Sequence, residues 1–266
     1  MNICDYAYSL QQDRLLTCSG QGNVDVRRLG DGSILRSFSS NHGAGGSRIC
    51  LHPSEPIALI GGYRGVGLAA HNIESGDMVW NAKKPNKIQS IRYARSLDAF
   101  FVGVERKPLH VIKNGSFETL SKMRGAMDGW PFKKATVYAL KNQILVENST
   151  DCKTLKTESF GILSAVSDGE SIFVSVACGP ILKIDPANLT IADEIACEEG
   201  HHYINLFLDS EDVPLGLYWN YEEGGPTTII NLRTRETVTV MEESFDLYPI
   251  SGQNRILLAD GTFYSW

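Results

Sequence analysis

Ser47 to Pro85 reads SRICLHPSEPIALIGGYRGVGLAAHNIESGDMVWNAKKP. Four short apolar runs, RICLHP, IALIGG, LAAH and MVWN, are separated by turn residues, with a Ser75-Gly76-Asp77 corner before the last. No apolar spacing of 3.6 residues runs through the stretch, and apolar runs this short between Gly, Pro, Asn and Asp clusters are strand signals. Ser47–Pro85 therefore predicts one four-stranded antiparallel blade, and the rest of the chain varies on it.

The second run of that unit recurs as LLTCSG from Leu15, ALIGG from Ala58, FFVGV from Phe100, VYAL from Val137, IFVSV from Ile172, LGLYW from Leu215 and ILLAD from Ile256. The central residues Thr17, Ile60, Val102, Ala139, Val174, Leu217 and Leu258 recur with a period of about 40, close to that of a propeller blade. These runs are apolar on both faces, as in a strand covered by a neighbouring sheet on each side. The turn after the third strand recurs as Gly30-Asp31-Gly32-Ser33, Glu74-Ser75-Gly76-Asp77, Asn114-Gly115-Ser116 and Pro186-Ala187-Asn188, a chemistry that favours tight hairpins. The expected fold is all-β, with residues 1–266 as a single seven-bladed β-propeller of four-stranded antiparallel blades. Six blades is the runner-up, should the weak VYAL unit merge with a neighbour. The expected blades are 5–39, 46–85, 87–124, 127–159, 161–199, 201–243 and 246–266. The last supplies only three runs; either Met1 to Cys4 pairs as its missing outer strand, or it has three strands.

The Ser-Gly-Asp-x-x-x-Trp corner and the Gly-rich third turns make the chain similar to the WD40-like, YVTN-like and quinoprotein-like propeller superfamilies. The resemblance spans the whole chain at the level of architecture. The Gly-His and Trp-Asp dipeptides of WD40 repeats and the tryptophan-docking pattern of quinoproteins are absent, so it carries no functional residue with it.

Composition narrows the function. The formal charge is −6 and the pI about 5.5, against a general nucleic-acid surface and compatible with a basic partner. No apolar run reaches the roughly 18 residues of a membrane span. The N-terminus lacks a basic segment followed by an apolar core, and the six cysteines include no C-x-x-C pair, which together lead to an expectation of reduced thiols and a cytoplasmic location.

Chemistry-bearing motifs are sparse. His201 and His202 are adjacent, and on a regular strand would face opposite sides, so no metal is expected there. The glycine clusters at 43–46 and 61–67 lead into strands, not helices, which removes the phosphate-loop reading. The pairs Glu198-Glu199, Glu222-Glu223 and Glu242-Glu243 read as solvated loops. No cofactor is expected.

In a propeller, the second-to-third-strand turns and the links between blades emerge on one face. Here that face would collect Tyr63, Arg64, Lys83, Lys84, Arg106, Lys107, Arg124, Trp130, His201, His202 and a hairpin tip carrying Trp219 and Tyr221. Aromatics and arginine are enriched at interface hot spots. The candidate partner-binding set is therefore Tyr63, Arg64, Arg106, Lys107, Trp130, His201, His202, Trp219 and Tyr221. The function expected is non-enzymatic protein binding, as a dedicated inhibitor or immunity protein masking a toxin or enzyme. The alternatives are a scaffold subunit, and a lyase or hydrolase with a site at the mouth of the axial channel.

Overall fold

The computed structural model describes residues 3–44, 47–64, 67–113, 120–123, 126–140, 143–156, 162–177, 179–196, 201–220, 226–241 and 247–266. Seven antiparallel sheets follow one another along the chain, each built from consecutive strands in sequence order. The first holds β1 (Ile3–Ser9), β2 (Arg14–Ser19), β3 (Gln21–Arg28) and β4 (Ile34–Ala44). The second holds β5 (Ser47–Leu51), β6 (Ile57–Gly62), β7 (Leu68–Asn72) and β8 (Met78–Ala82), and the third β9 (Ile88–Ala94), β10 (Ala99–Val104), β11 (Leu109–Lys113) and β12 (Leu120–Met123). The fourth is β13 (Asp128–Pro131), β14 (Ala135–Ala139), β15 (Gln143–Asn148) and β16 (Cys152–Lys156). The fifth is β17 (Ile162–Ser167), β18 (Ile172–Val176), β19 (Ile181–Asp185) and β20 (Thr190–Ile195). The sixth is β21 (His201–Leu208), β22 (Pro214–Asn220), β23 (Thr227–Asn231) and β24 (Thr237–Met241), and the seventh β25 (Leu247–Pro249), β26 (Arg255–Leu258) and β27 (Phe263–Ser265). The only helical turn among the described residues is the 3-10 turn Arg95–Leu97.

The chain is thus a seven-bladed β-propeller. The weak VYAL run is a strand of its own sheet, β14, which removes the six-bladed alternative. Residue Ile3 pairs with Ser19 inside the first sheet, so the start of β1 does not complete the last blade. The seventh sheet has three strands among the described residues.

Two compact units are present: Met1–Pro131 with Ala259–Thr262, and Phe132–Leu258 with Phe263–Trp266. Within each, apolar side chains meet between consecutive sheets. In the first unit, Leu16, Val24 and Val26 pack on Ile49, Leu51 and Ile60, while Leu59 and Leu68, on the second sheet, pack on Ile88, Phe100 and Val102. Residues Leu59 and Ile60 are neighbours on β6 and serve opposite faces, which is why the second strands lose polar alternation. In the second unit, Val166, Phe173 and Ile181 meet Leu206 and Leu232, and Phe207, Leu215 and Leu217 meet Leu247 and Ile256. Because each sheet buries its faces only against the next, a single blade should not fold alone. Two glycines of the 61–67 cluster are explained by this packing. A Cβ on Gly61 would overlap Ile88 and Leu68, and Gly67, at φ +90°, would drive one into the Ala82 carbonyl.

The fourth strands are the exposed edges, and β8 shows three exposed residues in five. A bulge recurs where the third strand meets the fourth, at Val26/Arg27, Ala70/His71, Lys183/Ile184 and Ile229/Ile230. Bulges twist an edge and blunt it against further pairing. The following turn is fixed by the residue that ends the third strand. The Oδ1 of Asn72 accepts from the N–H of Glu74 and Ser75, that of Asn148 from Thr150 and Asp151, that of Asp185 from Ala187 and Asn188, and that of Asn231 from Arg233 and Thr234, all at 2.8–3.3 Å.

Candidate functional site: a cationic groove between two blades

Antiparallel connectivity gives every four-stranded sheet two ends. First-to-second and third-to-fourth turns lie at one, second-to-third turns and inter-sheet links at the other. In the first unit the two ends differ in chemistry.

At the turn-only end, the latch end, adjacent sheets are tied together by hydrogen bonds. The Ser9 hydroxyl donates to the Pro53 carbonyl at 2.6 Å, and the Gln12 amide to the carbonyls of His52 and Glu55 at 2.6 and 3.0 Å. Residue His52 is 3% exposed. Its Nδ1 accepts from the N–H of Glu55 at 2.8 Å and of Ser54 at 3.2 Å. An acceptor Nδ1 leaves the ring proton on Nε2, 2.9 Å from the Tyr93 hydroxyl, which in turn donates to Asp98. The neutral ring is held, and burial lowers the His52 pKa.

At the other end, the β8–β9 link and the β10–β11 turn line a groove of about 410 Å³. Its walls are Lys84, Asn86, Lys87, Glu105 and Lys107, and Pro85, Val104, Pro108 and His110 supply the remainder. The Lys87 ammonium pairs with Glu105 at 3.0 Å and sits 5.9 Å from the centroid of the exposed Tyr63 ring. Hydrogen bonding from Lys87 first, with Tyr63 second, holds the Glu105 carboxyl below the usual range, and the same bond holds Lys87 above its own. Lys84, Arg106 and Lys107 are exposed and make no ion pair among the described residues. Three ammonium groups thus face one carboxylate, on a chain whose formal charge is −6. Residues Lys87 and Arg106 have φ of +61° and +52°, in the left-handed region that longer side chains disfavour.

This arrangement suits binding an anion. A lysine acting as nucleophile or base needs a lowered pKa, and Lys87 is shifted the opposite way. Among the described residues no three His, Cys, Asp or Glu side chains are grouped to hold a metal. Cys18 and Cys50 are free thiols whose pKa burial pushes up to about 12. The Asp5 carboxyl beside them is raised to about 6, by burial first, although the Ile49 N–H donates to it at 2.9 Å.

The candidate residues fall into three groups. Residues Tyr63 and Arg64, in the β6–β7 turn, and Arg106 and Lys107, in the β10–β11 turn, lie at the groove end together with Lys84. Trp130 belongs to β13 instead of a loop and is 5% exposed; the Arg92 guanidinium lies 4.1 Å over its ring and pairs with Asp128, so Trp130 offers no surface. Trp219 is a half-buried strand residue opposite His202 and Thr227, not a hairpin tip. Residues His201 and His202 are in strand β21, not in a loop, and Tyr221, Arg124 and the three glutamate pairs lie outside the described residues. Lys87 and Glu105 escaped the sequence reading. The Lys-Lys-Pro-Asn-Lys run from Lys83 signals the link, but its closeness to Glu105 depends on the neighbouring blade.

No known family profile matches the chain, and no curated protein matches it. Among solved structures, one that the chain is similar to is the β-propeller domain of Cps50 (Swd1) from Myceliophteria thermophila, with a TM-score of 0.73 over 92% of this chain and 88% of that one, at 9% identity. The class is therefore that of the seven-bladed β-propellers. At such low identity the likeness defines the fold and leaves function to the site.

Proposed function

We propose that this propeller is a protein-recognition module that meets its partner with the link-bearing end of its second and third blades. The observation that carries the reading is the convergence there of Tyr63, Lys84, Arg106 and Lys107, exposed and without ion-pair partners among the described residues. Aromatic and arginine side chains on a rigid β framework lose little freedom on docking, which favours them as contacts. The finer reading is a dedicated inhibitor that masks an enzyme or toxin. It differs from a scaffold in that the partner's own activity falls when the complex forms.

The test is site-specific crosslinking. A photoreactive phenylalanine derivative at Arg106 should yield a protein adduct in extract of the source cells. The same group at Glu74, at the opposite end of β7, should not. Adducts of equal yield from both positions, or from neither, would remove this end as the recognition surface.

A further inference from the structure

The groove also specifies what kind of segment it would take, an inference that rests on the protein-recognition reading above. We propose that it seats an acidic linear segment of the partner protein, with carboxylates on Lys84 and Lys107 in the groove and on Arg106 beside it, and an apolar side chain over the exposed Pro108.

Charge complementarity is the first argument. Three lysines line the groove and Arg106 lies beside them; of these four cations only Lys87 is neutralised among the described residues, by Glu105 at 3.0 Å. Burying the others against a neutral or basic surface would desolvate them without compensation, whereas carboxylates would satisfy them. The partner's contact segment is thus acidic, although the chain's own net charge alone would favour a basic one. Backbone geometry is the second argument. In this unit the latch end fills its left-handed non-glycine positions with Asp13 and Asp98, a residue type that tolerates that region, while the groove end places Lys87 and Arg106 there. Strained backbone of this kind persists where the side chain's position matters. The groove's size is the third argument. About 410 Å³ accommodates a few side chains of an extended strand, not a folded surface.

A fluorescein-labelled peptide, Asp-Glu-Leu-Glu-Asp with blocked ends, measures this by fluorescence anisotropy. Its amide counterpart, Asn-Gln-Leu-Gln-Asn, and an oligothymidylate are the comparison ligands. The acidic peptide should bind, weaken as salt rises, and lose at least about tenfold in affinity in Lys84→Glu/Lys107→Glu. Lys84→Gln/Lys107→Gln should lose less, and guards against a fold defect in the reversal variant. Failure of the acidic peptide to bind, equal binding to the reversal variant, or oligothymidylate bound as tightly would each overturn the proposal, the last by marking a general polyanion surface. The two readings separate cleanly. A crosslinked partner whose capture survives the Lys84/Lys107 reversal overturns the acidic-segment inference and leaves protein recognition standing. Absence of any adduct from Arg106 removes the recognition reading itself.

Discussion

The two ends of the first three blades share strands and core but use their polar groups in opposite ways. At one end Ser9, Gln12, His52, Tyr93 and Asp98 are hydrogen-bonded from one blade to the next. At the other, Lys84, Arg106 and Lys107 have no ionic partner among the described residues. The ties of the turn-only end continue in the second unit, where Arg233 donates twice to Asp168 and the Ser251 hydroxyl accepts from the Leu208 N–H at 2.9 Å. Within each unit consecutive blades bury their faces against one another, but the ends of the strands remain to be used. The turn-only end serves to tie the stack, whereas the link-bearing end keeps such ties at Ser47, which donates to the Ser19 carbonyl at 2.6 Å, and at Arg48, which donates to that of Gln89 at 2.7 Å, and adds exposed cations to them.

The largest effect that could break this comparison is at His52. Replacing it with alanine leaves a void, the Ser54 and Glu55 amides without their acceptor, and the Tyr93 hydroxyl without the ring N–H that it accepts, although it still donates to Asp98. A loss of about 3 kcal/mol is expected in urea unfolding. A loss below about 1 kcal/mol would show that the latch end is ornamental and that the ends do not differ.

Next in size is Asp5, half-buried between the first two blades near Arg48. Its folded pKa, about 6, lies above the ordinary 3.8, so the folded state favours the protonated carboxyl. Its contribution is fully present below pH ~4 and is lost as pH rises through ~6. Asp5→Asn keeps an acceptor for the Ile49 N–H and removes the ionisation. It should stabilise the fold by about 1–2 kcal/mol at pH 7 and by nothing below pH ~4. His52 and His42 run the other way. Burial lowers both, so their contribution is intact above pH ~6.5 and declines as pH falls below it. In the Asp5→Asn background, the stability remaining between pH ~7 and ~5 should therefore fall on acidification. A flat profile there would mean that the His52 ring is not held neutral.

How far the sequence carried these conclusions depends on the range of each feature. The second strands were legible because both faces of a residue pair such as Leu59–Ile60 are buried, which writes a continuous apolar run at a fixed period. Even VYAL, the faintest copy, fell in a strand. The residues that end the third strands, Asn72, Asn148, Asp185 and Asn231, left a signal that could have been used: an Asx two or three positions before the turn's close. The groove was legible only in part. Tyr63 and Lys107 are 44 positions apart in sequence, and only the stacking of adjacent blades brings their turns to one end. The misplacement of Trp130 and Trp219 has one cause: aromatic residues near a strand boundary read as tips until the register is known. Trp130 instead fills the space under Arg92, and Trp219, in β22, pairs with His202 of β21 and Thr227 of β23.

A smaller effect belongs to Arg233. Its guanidinium reaches Asp168 Oδ2 at 2.9 and 3.0 Å, and the Asp168 side chain is 5% exposed while that of Arg233 is 45% exposed. Solvent at the arginine screens the pair, so Arg233→Ala should cost about 0.5–1 kcal/mol. A cost equal to that at His52 would indicate that the blades of the second unit rely on ion pairs where the first relies on a buried ring.

The smallest effect has the opposite sign, and it tests whether the groove end was shaped by something other than folding. Arg106 holds φ +52° with no ion pair among the described residues to offset the strain. Glycine adopts that conformation without steric penalty, although it adds entropy to the unfolded chain. The two effects leave Arg106→Gly neutral or stabilising by up to about 0.5 kcal/mol, measurable as a small rise in urea midpoint with an unchanged slope. The same variant should weaken the acidic peptide, since a cation is gone. Stability and affinity moving apart at one residue is what a surface retained for recognition requires. If Arg106→Gly instead destabilises by more than about 1 kcal/mol, the side chain is holding the turn together. The groove end would then be structural like the latch end, and the contrast between them would vanish.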